Sequence, residues 1–162
     1  MEPELIAVDY TNASHAVALL DLLNLYASEP AGGGTALRQD VRETLIAKLA
    51  ARQDAFSFLA RVGDRTAGLI NCIEGFSTFA AKPLLNIHDV VVHPDFRGQG
   101  IVDHLLAAAQ QLAVDRGCCK LTLEVLSENG GARRAYQRFG FRDYELDPKY
   151  GQAVFMEKKI AG

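Results

Sequence analysis

The sequence is short of several features that would indicate particular classes of protein. It has three cysteines, Cys72, Cys118 and Cys119, and no C-x-x-C pair, so it indicates neither a zinc site nor a disulfide framework. A formal net charge of −3 lacks the basic excess that is typical of nucleic-acid-binding proteins. No apolar run approaches the roughly 18 residues that are needed to span a bilayer. We therefore expect no metal, no nucleic-acid partner and no membrane partner.

The first residues and the length of the sequence support two further expectations. Glu2 and Glu4 follow Met1, and their charge is wrong for the positive region of a secretory leader. Unpaired cysteines suit a reducing compartment, so we expect a cytoplasmic protein. The 162 residues, 49% of them hydrophobic, are enough for one buried core, and we expect a single domain over residues 1–162.

The stretch from Asn86 to Leu106 has the strongest local pattern in the chain. It begins with the β-branched run Val90–Val92, which favours a buried strand, and Pro94 then ends that strand. Gly98 and Gly100 follow, and an apolar rhythm of helical period comes after them. A strand that runs through glycines into a helix directs free N–H groups and a positive dipole end at one place. The pattern predicts an anion site, and a phosphate-bearing ligand is the best candidate.

The rest of the chain predicts a mixed α/β sheet with helices on its faces, in the order βααβββαβαββ. The predicted strands are Leu5–Val8, Ala55–Val62, Thr66–Ile73, Leu84–His93, Leu121–Leu126, Phe141–Leu146 and Ala153–Lys159. Four helices are predicted. The first is capped near Asn12 and ends by Ser28, and the last lies between Asn129 and Gly140. The two between them are Arg38–Gln53 and Gln99–Arg116.

A dinucleotide-binding fold also places a glycine-rich turn after a strand. Its third glycine would fall at Asp103, whose negative charge would repel a phosphate. Several strands linked by hairpins precede the turn, whereas a dinucleotide fold would have successive βαβ units. The sequence therefore disfavours a Rossmann fold.

Two motifs resemble those of the GNAT superfamily of N-acetyltransferases. HPDFRGQGIV, residues 93–102, resembles the acetyl-CoA signature Q/R-x-x-G-x-G/A, and ENGGARRAYQRFGF, residues 128–141, resembles the motif N-x-x-A-x-x-x-Y-x-x-x-G-F. The separation of the motifs and the order of elements also agree, so the resemblance covers nearly the whole chain. It implies a GNAT fold with a splayed central sheet, acetyl-CoA as the cofactor and CoA as its product.

The resemblance also implies roles for individual residues. The strand backbone that would pair with the pantetheine arm, and would offer an oxyanion donor, belongs to Val90, Val91 and Val92. The amides that would hold the pyrophosphate belong to the glycine turn, which consists of Arg97, Gly98, Gln99, Gly100, Ile101 and Val102. Asn129 would lie by the cofactor where the sheet splays, and Tyr136 would act as general acid for the departing thiolate.

Val102 is where this sequence departs from the family pattern, because the signature ends there with glycine or alanine. Its amide is still available, but its isopropyl group limits the close approach of phosphates. We expect weaker cofactor binding from this change.

The general base has several candidates. His88 and Asp89 directly precede the valine run, and strand alternation predicts one side chain on each face of the sheet. Asp89 resembles the acidic residue that several amine-acetylating relatives carry at this point, and His88 titrates in the right range by default. Glu74 and Glu124 are further carboxylates, and a water relay without a dedicated base also stays open.

The substrate pocket of the family would be built here by residues 26–37 and 147–152. Glu29, Tyr150 and Phe76 are candidates to line it, and none of them identifies a substrate. The expected activity is transfer of an acetyl group by direct attack of a primary amine, in a small molecule, a peptide N-terminus or a lysine. A non-catalytic acyl-CoA-binding or sensor domain and a transferase for a larger acyl-CoA are the alternatives. A homodimer is kept as one option for the quaternary state.

Overall fold

Five strands form a mixed sheet in the order β1-β2-β3-β4-β5, within the first of two units of the chain. The strands are β1 (Glu4–Ala7), β2 (Ala55–Val62), β3 (Arg65–Ser77), β4 (Lys82–Val92) and β5 (Leu121–Leu123). The computed structural model describes residues 1–161; the first unit ends at Leu123 and the second begins at Glu124. The single domain expected from the sequence stays a prediction.

Four α-helices accompany the strands, and the sequence predicted each of them. They are α1 (Ala13–Ser28), α2 (Gln39–Ala50), α3 (Ile101–Asp115) and α4 (Gly130–Phe139). Asn12 caps α1, since its side-chain oxygen accepts from the amides of Ser14 at 3.0 Å and His15 at 3.2 Å. Gly140 ends α4 in the left-handed conformation, at φ 117°. None of the helices within residues 1–161 combines the length and the apolar character needed to cross a membrane.

The sheet of the first unit is packed on both faces. On one face Leu19 and Leu22 of α1 contact Leu59, Leu69 and Val91 in a buried cluster. On the other face α3 lies close to β3 at Gly68, which neighbours Leu69 and therefore points to the opposite side. Because Gly68 has no side chain, the first turn of α3 can approach the strand backbone closely. This contact places the start of α3 beside the end of β4.

The strand β4 contains one residue more than its partner β3 at the centre of the sheet. Asn71 pairs with Asp89, whereas the next residue of β3, Cys72, pairs with Ile87. His88 is therefore the extra residue of a β-bulge. Without the bulge Asp89 would share a face with Ile87; with it, Asp89 points to the face covered by α1.

The pairing between β4 and β5 is parallel and very short. It joins Leu85 to Leu121, Asn86 to Thr122 and Ile87 to Leu123, and then β5 ends. Within residues 1–161 no strand pairs with β4 on that side beyond Ile87. We call this side of residues 88–92 the open edge of β4. It is the splayed sheet that the sequence predicted, and the predicted fold class is confirmed.

The predicted strands Phe141–Leu146 and Ala153–Lys159 are wrong for the described residues. A single antiparallel bridge joins Glu145 to Gln152, and neither segment forms a strand. Between them Asp147 caps a 3₁₀ turn through the amide of Lys149, and Gly151 ends that turn at a φ of 82°, so the chain does not make the tight turn that a hairpin needs. Alternating residues favour a strand only where a neighbouring strand accepts their hydrogen bonds.

Two further strands end three or more residues away from their predicted ends. β3 continues four residues beyond Ile73, to Ser77, because it pairs with the start of β4 in a long hairpin. β5 ends at Leu123 and not at Leu126, so Glu124 lies just outside the strand. Both differences reflect pairing with β4, which the local sequence pattern does not encode.

Replacing Gly68 by alanine should destabilise the protein by about 1–3 kcal/mol, because the core has no room for a methyl group there. A Cβ at this position would lie 2.8 Å from Ile101 Cγ2 and 3.1 Å from the carbonyl oxygen of Val91. Gly75→Ala in the same strand is the matched control, since its Cβ would meet only the mobile end of Leu84 at 3.3 Å. Urea unfolding measures both, and equal stability of the two variants would contradict the prediction.

Candidate active site

The glycine turn presents a row of amides at the start of α3. Gly98 and Gly100 have φ angles of 74° and 77°, which side-chain-bearing residues rarely adopt. The amide of Arg97, which was predicted to hold the pyrophosphate with the others, already donates to the carbonyl oxygen of Pro94 at 3.3 Å. Within residues 1–161 no backbone carbonyl accepts from the amides of residues 98–102. A Cβ at either glycine would meet nothing within 4 Å, so the space over the turn is open. Free amides at a helix N-terminus are the features from which anion sites are built.

Arg97 connects the glycine turn to the end of α1. Its Nε donates to the carbonyl oxygen of Val92 at 3.2 Å, and its Nη2 forms an ion pair with Oε1 of Glu29. Glu29 follows the last residue of α1, in the segment where the sequence predicted a substrate pocket. The structure therefore places Glu29 beside the predicted cofactor turn, with an arginine as its partner.

Val102 lies in the first turn of α3, after the fully buried Ile101, and its side chain is half-buried. Its amide is among those that donate to no backbone carbonyl within residues 1–161. Val102 therefore keeps a donor at the position where the family signature ends.

His88 and Asp89 do not point to opposite faces, so the predicted alternation is wrong at this point. Asp89 Oδ2 accepts from Nδ2 of Asn71 at 3.0 Å, on the face that α1 covers. His88 Nδ1 lies 2.9 Å from Oδ1 of Asn86, and Asn86 pairs with Ile73, which shares the face of Asn71. The bulge turns both candidate bases to one side, which the period of a regular strand does not allow.

The electrostatic surroundings of Asp89 are those of a half-buried negative charge. Burial raises the pKa of Tyr26 on α1, and the nearby carboxylates of Asp89 and Glu29 raise it further. Burial, with the charge of Asp89 as a second cause, raises the pKa of Cys72 to about 12. Tyr26 therefore keeps its proton at neutral pH, within the field of two carboxylates. Such surroundings suit a cationic amine.

Two polar side chains near Asp89 were not among the site residues predicted from the sequence. Ser57 is 4% exposed and Asn71 is 8% exposed, and they are the buried polar residues of the described chain. Both interrupt apolar strand sequences, FSFLARV and TAGLINCI. A buried polar residue inside a central strand must have a hydrogen-bond partner, so this interruption was the signal that could have found them.

The predicted residues Asn129, Tyr136 and Tyr150 belong to the second unit. Asn129 caps α4, accepting from the amide of Ala132 at 3.3 Å. Tyr136 is half-buried in α4 and its ring contacts Phe141 edge to face, with centroids 6.0 Å apart. Tyr150 is exposed and stacks under the ammonium group of Lys149. The roles that the family resemblance implies for these three residues stay predictions.

The remaining candidates have structural surroundings or exposed positions. Glu74 forms an ion pair with Arg116, whose guanidinium also lies over the ring of Phe56 at 4.4 Å. Phe76 is exposed near the tip of the β3–β4 hairpin. Within residues 1–161 no group of three or more His, Cys, Asp or Glu side chains is arranged to hold a metal ion.

The backbone groups of the first unit that have no partner are arranged in a way that suits an acyl-CoA. The open edge of β4 offers backbone groups to an extended chain, as an added strand would use them. It leads directly through Pro94–Phe96, a 3₁₀ turn, into the glycine turn, where the amides of residues 98–102 donate to no backbone carbonyl within residues 1–161. An extended pantetheine arm that ends in a pyrophosphate has the chemistry for both parts.

Comparison with known proteins agrees with this geometry. The model of the acetyltransferase (GNAT) family matches residues 18–141, which is more than half of the chain. The chain therefore belongs to the GNAT family of acetyltransferases. The family predicted from the two sequence motifs is confirmed.

Curated relatives match part of the chain. An uncharacterized N-acetyltransferase of Methanocaldococcus jannaschii is 35% identical over 95 residues, or 58% of this chain and 42% of the relative. A streptothricin acetyltransferase of Streptomyces lavendulae is 40% identical over 77 residues, or 48% of this chain and 41% of the relative. A thialysine N-epsilon-acetyltransferase of Bos taurus is 34% identical over 68 residues, or 42% and 39%. The chain thus spans about two fifths of the length of these relatives.

Solved structures share the fold over nearly the whole chain. A probable acetyltransferase has a TM-score of 0.78 at 22% identity and covers 96% of this chain and 99% of its own. An aminoglycoside N-acetyltransferase solved with CoA has a TM-score of 0.74 at 17% identity, with 98% and 95% covered. At this level of identity the likeness concerns the fold.

Replacing Val102 by alanine should tighten CoA binding about fivefold, which is about 1 kcal/mol, because the isopropyl group no longer limits the approach of the pyrophosphate. Titration calorimetry with CoA measures the effect. Val114→Ala, at an exposed position near the end of the same helix, controls for the higher helix propensity of alanine. Weaker binding by Val102→Ala would show that the valine supports the ligand and would contradict this prediction.

Proposed function

We propose that the protein is an acetyl-CoA-dependent N-acetyltransferase, which transfers an acetyl group directly to a primary amine. The observation that carries the proposal is the continuous path from the open edge of β4 into the glycine turn. Both belong to the first unit, and both offer backbone hydrogen-bond donors that no strand or helix uses.

The binding roles follow from this path. Acetyl-CoA would supply a thioester, whose acyl carbon accepts a nucleophile. The amides of residues 98–102 and the Arg97 guanidinium would hold the pyrophosphate, and the backbone of Val90, Val91 and Val92 would align the pantetheine arm. An amide of the same valine strand would donate to the acyl oxygen and stabilise the negative charge that develops there.

The amine would be bound on the face of the sheet that α1 covers. Asp89 and His88 lie on this face, and the charges of Asp89 and Glu29 contribute to the raised pKa of Tyr26. A protonated amine is attracted by these carboxylates but is not nucleophilic until it loses a proton. Asp89 would take that proton, directly or through a water molecule, with His88 as the second candidate base.

Proton transfer would complete the reaction on the leaving group. As the nitrogen–carbon bond forms, the carbon–sulfur bond breaks and its electron pair stays on sulfur. The nitrogen, which still carries one proton too many, would lose it to solvent. Tyr136 would donate its hydroxyl proton to the thiolate, as the family resemblance implies, and would recover a proton from solvent, which balances the one lost by the nitrogen. The net change is one acetylated amine, one free CoA thiol and one released proton.

The class of amine is suggested by the relatives. Two of them are named for the acetylation of streptothricin and of thialysine, which are small molecules. We therefore rank a small-molecule amine above a peptide N-terminus or a protein lysine as the first substrate class to test.

Acetyl-CoA and CoA should each raise the midpoint of thermal unfolding, and NAD should not. A ligand at one hundred times its dissociation constant adds ~2.7 kcal/mol to the free energy of unfolding. Parallel unfolding curves with the three ligands measure this, and longer acyl-CoA thioesters in the same series test the chain-length alternative. Stabilisation by NAD alone would overturn the proposed cofactor.

Replacing Tyr136 by phenylalanine should lower turnover about 10²–10⁴-fold, because the general acid is removed, and should leave acetyl-CoA binding unchanged. The assay follows the release of CoA thiol with an amine panel that includes thialysine, streptothricin and lysine. A reaction without amine corrects for the exposed Cys119 of the protein itself.

Tyr144→Phe is the matched control, since Tyr144 is an exposed tyrosine outside the proposed machinery. Full turnover by Tyr136→Phe would exclude Tyr136 as the acid. Wild-type protein that binds acetyl-CoA and acetylates no amine would instead favour the non-catalytic sensor.

A further inference from the structure

Four polar side chains form one continuous row across the sheet of the first unit. Ser57 on β2, Asn71 on β3 and Asp89 on β4 are direct cross-strand partners, so their side chains share one face. Ser57 Oγ lies 2.6 Å from Asn71 Oδ1, and Asn71 Nδ2 lies 3.0 Å from Asp89 Oδ2. Tyr10, which follows β1, adds its hydroxyl at 2.8 Å from Ser57 Oγ.

The chemistry of the end group gives this row a single direction. The carboxylate of Asp89 can only accept, so Asn71 must turn its NH₂ group toward it. The amide oxygen of Asn71 then faces Ser57 and accepts its hydroxyl proton. The oxygen of Ser57 is left to accept from the hydroxyl of Tyr10. Every donor therefore points toward Asp89, and each bond polarises the next.

A row of polar side chains contributes less to the stability of a sheet interior than apolar side chains would. An apolar residue would fit at Ser57 or Asn71 without any need for a partner, whereas a buried polar group loses stability unless it is hydrogen-bonded. Within residues 1–161 no buried side-chain nitrogen or oxygen lacks a hydrogen-bond partner. The row thus supports one half-buried group, the carboxylate of Asp89.

The position of that carboxylate connects the row to the reaction. Asp89 follows the bulge residue His88, and the pairing of β4 with β5 ends at Ile87. The supported carboxylate therefore lies where the open edge of β4 begins. A bulge alone would leave Asp89 on a locally irregular backbone, and the amide of Asn71 holds its side chain in one orientation.

We propose that Asn71 is a positioning residue for the acetyl transfer, which fixes the carboxylate of Asp89 at the start of the open edge through the chain that runs from Tyr10 and Ser57. The proposal rests on the proposed function. Asn71 itself does not touch the amine or the thioester; it acts through Asp89.

A double-mutant cycle on turnover tests this assignment. Asp89→Asn should lower kcat about 10²–10⁴-fold, since it removes the proton acceptor. Asn71→Leu should lower kcat about 10²-fold, because a misplaced catalytic group costs a factor of this size. In the double variant, Asn71→Leu should cause no further loss, because the group that it positions is already absent.

Further variants separate positioning from folding. Asn71→Asp has the same shape as asparagine but replaces the donor with a carboxylate that repels Asp89, so it should also lower kcat. Ser57→Ala breaks the row one step further back and should have a smaller effect. Leu59→Val is the matched control on the same strand and face; it should lower the midpoint of thermal unfolding and leave kcat unchanged.

The outcomes are distinguishable. The assay uses the amine of the panel that wild-type protein turns over fastest, and KM for acetyl-CoA should change less than about twofold, because the glycine turn is untouched. Full kcat in folded Asn71→Leu and Asn71→Asp, or losses that multiply in the double variant, would overturn the role of Asn71 and leave the proposed function standing. No transfer to any amine by wild-type protein would overturn the proposed function, and this assignment with it.

Discussion

The central constraint of the structure is that the pairing of β4 with β5 stops after Ile87. A strand whose hydrogen-bonding groups are left without a neighbour normally has to be protected, because it can recruit another chain. Here the open edge belongs to β4, the fourth of the five strands of the sheet described within residues 1–161, and its unpaired backbone suits an extended ligand. The bulge at His88 directly follows the last paired residue, Ile87, and the glycine turn follows the end of β4.

The elements up to α4 could be predicted from the sequence because their signals are local. Asn12 and Gly140 cap helices through their own conformational preferences, and the β-branched run at Val90–Val92 favours a strand by itself. The glycine turn could also be predicted, since Gly98 and Gly100 adopt positive φ angles that few other residues tolerate. The conformational preferences of such residues depend little on the rest of the fold.

The features that escaped prediction depend on partners that are distant in sequence. Phe141–Leu146 alternates like a strand, but a strand forms only where another one accepts its hydrogen bonds. The bulge at His88 depends on the register between β3 and β4, and a shift of one residue reverses which face each side chain takes. The row through Asn71 could not be assembled without that register, although its polar members were visible inside apolar strands.

The ion pair between Arg97 and Glu29 has a thermodynamic consequence for ligands of opposite charge. An anion bound to the guanidinium of Arg97 would compete with Glu29 for it, and would free a carboxylate whose charge acts on Tyr26. A cation that takes Glu29 releases Arg97 in the same way. Because linkage is reciprocal, each ligand then strengthens the binding of the other by the same factor. One salt bridge on the surface of the first unit would thus make two binding equilibria cooperative without any change in the fold.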